Sequence, residues 1–186
     1  MTHPPPLLFG SLGASAVAAV VLGAALVVAA VAAIPRRPVR WLQWLCLIAI
    51  VADILWLTLW LVFGDAGGTG LNLVPFQEIR RGLDNQTPLG LLNVFGNVLM
   101  FVPFGAVVAW LSRRRKMLTA TSVGLLLSLA IEVTQLGLGR VGDIDDLILN
   151  TAGAFLGGLL AVTWSRIVRT PRADYDGAAN PASAGD

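Results

Sequence analysis

The stretch SLAIEVTQLGLGRVGDIDDLILNTAGAFLGG, residues 128–158, joins two apolar helix candidates through a short, highly charged turn. The first helix carries Glu132 and the second carries Asn150. The turn and the start of the second helix hold Arg140, Asp143, Asp145 and Asp146. Because ionisable groups are costly beside long apolar segments, this cluster predicts a place where polar side chains meet.

The composition indicates a membrane protein. Hydrophobic residues make up 56% of the chain and charged residues 13%, whereas roughly 25% of an ordinary soluble domain is charged. Several apolar runs exceed the ~18 residues that cross a bilayer. We therefore predict an all-α fold, a polytopic membrane helix bundle of about five transmembrane helices. Cys46 is the single cysteine, so the sequence offers neither a disulfide nor a cysteine metal site.

The apolar runs divide the chain into three parts. Residues 1–34 are expected to form an N-terminal transmembrane helix, residues 41–167 a membrane domain of four transmembrane helices, and residues 168–186 a disordered cytoplasmic tail. The predicted spans of that domain are 41–63, 91–111, 117–138 and 146–167. In the last span, Gly153 and Gly157 are spaced for a close helix contact.

The loop of residues 64–90 contains a second helical pattern. Phe76, Ile79 and Leu83 recur at i, i+3 and i+7, with Pro75 at an acceptable first position. This pattern predicts a short amphipathic helix lying on the membrane surface.

The basic residues predict the orientation. With five spans, one side of the membrane receives ten of them: Arg36, Arg37, Arg40, Arg113, Arg114, Arg115, Lys116, Arg166, Arg169 and Arg172. The positive-inside rule therefore places the N-terminus outside and the C-terminus in the cytoplasm. In this orientation Asn97, Glu132 and Asn150 lie roughly 6–9 Å below the outer boundary. We expect them to share one polar pocket that opens outward.

A purely structural interpretation of the same residues is also open. Acidic residues at a helix start cap its free N–H groups and complement its dipole. Arg140 could pair with one of the aspartates, and the asparagines could bond between helices. Asp53, near the middle of the second span, is either a functional carboxyl or a polar contact between helices.

Four motifs in order carry a resemblance to a known family. They are NLVPF at 72–76, NVFGN at 93–97 followed by FVPFG at 101–105, Ser128 to Gln135 with Glu132 between them, and RVGDIDD at 140–146 leading to NTAG at 150–153. Over residues 45–165 the chain resembles the VanZ-like family of bacterial membrane proteins. That family takes its name from a protein associated with resistance to the glycopeptide teicoplanin.

The resemblance implies a multi-pass protein of the bacterial plasma membrane and a set of ligand-binding positions without assigned chemistry. Those positions are Asn93, Asn97, Glu132, Gln135, Arg140, Asp143, Asp145, Asp146 and Asn150. It implies no catalytic residue, metal ligand or cofactor, and Asp53 lies outside its motifs.

Three functions fit these observations. We favour a non-enzymatic envelope protein that binds an amphipathic ligand, either a glycopeptide or a lipid-linked wall precursor, beneath the loop of residues 64–90. The alternatives are a metal-dependent enzyme acting on a lipid phosphate and a proton- or cation-coupled transporter using Asp53 and Glu132. Membrane lipids are expected partners and nucleic acids are not, because the basic clusters flank spans. The oligomeric state stays open.

Overall fold

The computed structural model describes residues 40–60, 70–85 and 88–169. The elements in chain order are α1 (Arg40–Trp60), β1 (Gly70–Asn72), α2 (Gln77–Asp84), α3 (Pro88–Leu111), α4 (Lys116–Gly137), β2 (Val141–Asp143) and α5 (Ile144–Arg169). The predicted first span and the tail beyond Arg169 lie outside the described residues.

Four of these helices, α1, α3, α4 and α5, are long and apolar enough to cross a membrane. Their bounds differ by at most three residues from those predicted for the membrane domain. The all-α helical bundle predicted from composition and apolar run length is therefore confirmed for this part of the chain.

Helix α3 lies at the centre of the bundle. It packs most extensively on α5 and also contacts α1, α2 and α4. Phe101, Phe104, Val107 and Ala109 on this helix are all buried, as expected for a helix that is apolar on every side. The helix continues through Pro103. This central position places the N-terminal half of α3 next to α2 and next to Asp146 at the start of α5.

The close contact predicted for Gly153 and Gly157 is confirmed. A Cβ atom at Gly153 would overlap the carbonyl oxygen of Val98, and one at Gly157 would overlap that of Val102. Helices α3 and α5 therefore touch backbone to backbone, as small residues permit in membrane bundles. This contact fixes the start of α5 against the start of α3.

Replacing Gly157 by alanine should force α3 and α5 apart. We expect a loss of about 1–3 kcal/mol in the free energy of unfolding, the usual cost of overpacking. Thermal or SDS-induced unfolding in detergent would measure it. The matched control is Gly137→Ala, because a Cβ atom at that helix end meets nothing within 4 Å. Equal stability of the two variants would contradict the packing described here.

A short parallel ribbon, missed by the sequence analysis, connects the loop to the charged turn. Strand β1 pairs with β2 in the register Gly70↔Val141, Leu71↔Gly142 and Asn72↔Asp143. Each strand has only three residues, too few for a recognisable alternating pattern. The ribbon brings the segment before α2 next to the start of α5.

Helix α2 confirms the short helix predicted in the loop, but its start differs. It begins at Gln77, and Phe76 before it adopts a left-handed conformation with φ 65°. Pro75 therefore precedes the helix instead of occupying its first position. Phe76 and Leu83 are exposed while Ile79 is half-buried, and the location of this helix on a membrane surface stays a prediction.

Candidate functional site

A polar cavity of about 470 Å³ lies where the ribbon and α2 cover the ends of the long helices. All of its lining residues except Val141 are polar or charged. They are Asn72, Gln77, Glu78, Arg81, Asn93, Arg140, Val141, Asp143 and Asp146. Four predicted site residues therefore line one cavity: Asn93, Arg140, Asp143 and Asp146.

Asp145 is almost fully buried, with 1% of its surface exposed. Its Oδ1 accepts a hydrogen bond from Phe76 N at 2.5 Å, and its Oδ2 accepts from Glu78 N at 2.8 Å and Ile79 N at 3.2 Å. These are the free N–H groups at the start of α2, which helices ordinarily satisfy with a local side chain. Here the cap comes from 66 to 69 residues away. Asp145 therefore holds α2 over the cavity and does not line it.

Asp143 connects three segments of the chain. Its Oδ1 accepts from Asp145 N at 2.9 Å, which caps α5, and its Oδ2 accepts from Asn72 Nδ2 at 3.2 Å. Its own backbone N donates to Glu132 Oε2 at 2.9 Å. Burial raises the pKa of the Asp143 carboxyl above its ordinary value, the two donated hydrogen bonds lower it, and the charges of Asp145 and Glu78 raise it. The carboxyl consequently holds a proton more readily than an exposed aspartate does.

Asp146 meets the two asparagines of α3. Its Oδ1 accepts from Asn97 Nδ2 at 2.5 Å and from Asn93 Nδ2 at 3.5 Å. Asn93 and Asn97 are four residues apart on one helix face, so a single carboxylate oxygen can receive both. Asp146 is also among the residues that line the cavity. This arrangement fixes the orientation of a carboxylate that faces the cavity.

Two predicted site residues act between helices instead. Gln135 Nε2 donates to Thr58 O at 3.3 Å and joins α4 to α1. Asn150 Nδ2 donates to Ser128 Oγ at 2.9 Å, and its buried Oδ1 has no hydrogen-bond partner among the described residues. Ser128 lies one turn before Glu132 on α4, so Asn150 meets α4 below the level of Glu132. Asn97, Glu132 and Asn150 are not among the residues that line the cavity, and the expectation that the three share one pocket stays a prediction.

Arg140 is half-buried and lines the cavity. Its backbone N donates to Gln135 O at 3.0 Å, which fixes the residue after the end of α4. Within the described ranges, the one ion pair closer than 4.0 Å joins Arg81 to Glu78, 2.5 Å apart. The suggested ion pair between Arg140 and an aspartate of the turn is thus not formed.

Besides Val141, four polar residues of the cavity were not among the predicted site residues. Gln77, Glu78 and Arg81 come from α2, and Asn72 comes from β1. Asn72 stands in the NLVPF motif, which could have identified it. Glu78 and Arg81 have the spacing of an ordinary surface ion pair on a helix, so nothing in their pattern distinguishes them.

An apolar groove of about 170 Å³ lies beside the cavity. The residues that give it an apolar wall are Leu71, Leu73, Leu129, Val133, Leu136 and Leu147. Glu132 and Asp143 also line it, and Asp143 lines the polar cavity as well. The two spaces therefore adjoin at Asp143, which belongs to both linings.

The carboxylates of the site do not form a metal-ligand cluster. Across residues 40–60, 70–85 and 88–169, no group of three or more His, Cys, Asp or Glu side chains is placed to hold a metal ion. Asp145 and Glu132 are instead occupied by backbone N–H groups.

A family model described as VanZ/LLP1 matches residues 38–166, more than half of the chain. The chain belongs to this VanZ-like family. No curated protein and no solved structure matches it. The matched region contains α1, α3, α4, all but the last three residues of α5, and every residue of the cavity lining, so this is a VanZ-like membrane protein whose polar end lies within the family region.

Replacing Asp145 by alanine should release α2. Three hydrogen bonds to a buried carboxylate would be lost, and we expect a cost of about 1–3 kcal/mol. Limited trypsin digestion of the detergent-solubilised protein should then cleave faster after Arg80 and Arg81. Asp84→Ala, at an exposed carboxylate of the same helix, is the control. Unchanged cleavage of the Asp145 variant would show that the cap does not hold the helix.

Proposed function

We propose that this VanZ-like protein is a non-enzymatic component of the bacterial cell envelope that binds an amphipathic ligand in the polar cavity. The observation that carries the proposal is the position of Asp143, where a charged cavity adjoins an apolar groove. A ligand with a polar head and an apolar part could occupy both spaces at once, while a wholly polar or wholly apolar ligand would leave one of them empty.

The chemistry of the cavity suits a head that carries ionised groups. Asp143 and Asp146 offer carboxylate oxygens to an amine, and Arg140 offers a guanidinium to a carboxylate or phosphate. Glycopeptides and lipid-linked wall precursors both present such groups. Resistance to teicoplanin, or the handling of a wall precursor, is the cellular role that we propose for this binding.

The charge distribution supports an outward-facing cavity. The basic residues Arg113, Arg114, Arg115 and Lys116 join α3 to α4 at the end of the bundle away from the cavity. If that end is cytoplasmic by the positive-inside rule, the cavity opens to the outer leaflet of the plasma membrane. A ligand arriving from outside would then meet α2 and the ribbon first.

The binding role can be tested by teicoplanin and vancomycin susceptibility in a host that lacks the gene, complemented at matched membrane levels. We expect wild type to protect and Asp146→Asn to fail, because the amide keeps an oxygen for Asn97 but removes the charge that faces the ligand. Asp84→Asn, which removes an exposed carboxylate of α2 outside the cavity lining, should protect like wild type. Equal protection by Asp146→Asn, or no protection by wild type, would contradict the proposed role.

The orientation has its own test. In a background in which the buried Cys46 is replaced by serine, Leu83→Cys on α2 should react with an impermeant thiol reagent added to intact cells. Arg114→Cys, which is exposed at the opposite end, should react only after the membrane is permeabilised. The reverse pattern would place the cavity on the cytoplasmic side.

A further inference from the structure

We propose that the ligand is a phospholipid with a zwitterionic amine–phosphate headgroup, whose headgroup lies in the polar cavity and whose acyl chain begins in the apolar groove. This inference rests on the proposed binding function and adds the chemical class of the ligand. Phosphatidylethanolamine is the simplest lipid of this class.

The ribbon separates an apolar space for the acyl chain from a polar space for the headgroup. Side chains of a strand point alternately to its two faces. On β1, Leu71 lines the groove and Asn72 lines the cavity. On β2, Gly142 lines the groove, Val141 lines the cavity, and Asp143 reaches both. One face of the ribbon is therefore apolar and the other is mainly polar, and Asp143 lies at the junction.

The groove is suited to part of an acyl chain. Its apolar residues Leu73 and Val133 are 63% and 60% exposed, so the groove opens away from the bundle, where the hydrocarbon of the bilayer lies. An apolar cavity of roughly 150 Å³ holds a molecule the size of benzene. A groove of about 170 Å³ therefore holds only the first few methylenes of a chain, and the rest of the chain stays in the lipid.

The charges in the cavity indicate a zwitterionic head. Glu78 and Arg81 neutralise each other in an ion pair. Arg140, Asp143 and Asp146 are then left to face the cavity, and neither aspartate pairs with a cation within 4.0 Å in the described part of the chain. A head bearing both an amine and a phosphate gives each sign a partner: the phosphate lies at Arg140 and the amine at the aspartates. A purely anionic head would set its charge against two carboxylates.

Different variants test the acyl chain in the groove and the headgroup in the cavity. Val133→Trp would fill the groove from α4, and Leu73→Trp would fill it from the segment after β1. Leu126→Trp is the matched control for the first, because Leu126 lies two turns earlier on α4, is 64% exposed and lines neither the groove nor the cavity. Asp146→Asn tests recognition of the amine, and Arg140→Gln tests recognition of the phosphate.

The experiment is a titration of the detergent-purified full chain with three lipids of identical acyl chains, followed by native mass spectrometry. The lipids are phosphatidylethanolamine, its N-acetylated form, which keeps the phosphate but lacks the cation, and phosphatidylglycerol. We expect wild type and Leu126→Trp to bind one phosphatidylethanolamine at least about tenfold more tightly than either other lipid, a difference of about 1.4 kcal/mol. Both groove-filling variants should lose this binding, Asp146→Asn should lose the preference for the amine, and Arg140→Gln should bind all three lipids more weakly.

Two results would overturn the inference. Equal or tighter binding of phosphatidylglycerol by wild type would refute the zwitterionic headgroup. Unchanged phosphatidylethanolamine binding in both Val133→Trp and Leu73→Trp would refute the groove as the site of the acyl chain. The susceptibility assay distinguishes these failures from failure of the proposed function, because Asp146→Asn can abolish protection whichever amphipathic ligand the cavity holds.

Discussion

The site depends on one buried carboxylate that caps a helix far away in the sequence. Asp145 receives three backbone N–H groups at the start of α2, at 2.5, 2.8 and 3.2 Å. An eight-residue helix is too short to persist in water by itself, so its place over the cavity comes from this contact and from packing on α3. Glu78 and Arg81 reach the cavity from this helix. The charged residues that α2 contributes to the lining therefore depend on the cap.

Asp143, Asp145 and Asp146 are close in sequence, but the backbone geometry gives each of them different contacts. Asp143 lies before the first residue of α5 and caps it, whereas Asp145 and Asp146 lie in its first turn. Successive helix positions point about 100° apart, so Asp145 turns towards α2 while Asp146 turns towards Asn97 on α3. Asp145 caps α2 and is not in the cavity lining, whereas Asp143 and Asp146 are both lining residues. A count of acidic residues in the sequence cannot make this distinction.

The sequence predicted those parts of the molecule that depend on local pattern. Apolar run length located α1, α3, α4 and α5, and the spacing of Gly153 and Gly157 predicted the close contact with α3. It did not predict the ribbon, because the pairing of residues 70–72 with 141–143 is a long-range property of two very short strands. It also placed Gln135 and Asn150 among the site residues, and the structure shows each of them donating a hydrogen bond to a neighbouring helix. Polar residues on apolar helices mark contacts in general, and only the packing shows which contacts belong to a site.

The ribbon also determines when the cavity can form during synthesis of the chain. Its two strands are separated along the chain by α2, α3 and α4, and the residue that caps α2 follows the second strand. During synthesis, therefore, helices α1 to α4 can be made before the cavity residues of β2 and α5 exist. At that stage Asp145, which caps α2, is also missing. The cavity is completed only when the start of α5 arrives and closes this long loop, a slow kind of contact to form. A nascent chain halted before Asp143 would carry α1, α3 and α4 but neither α5 nor the complete cavity lining.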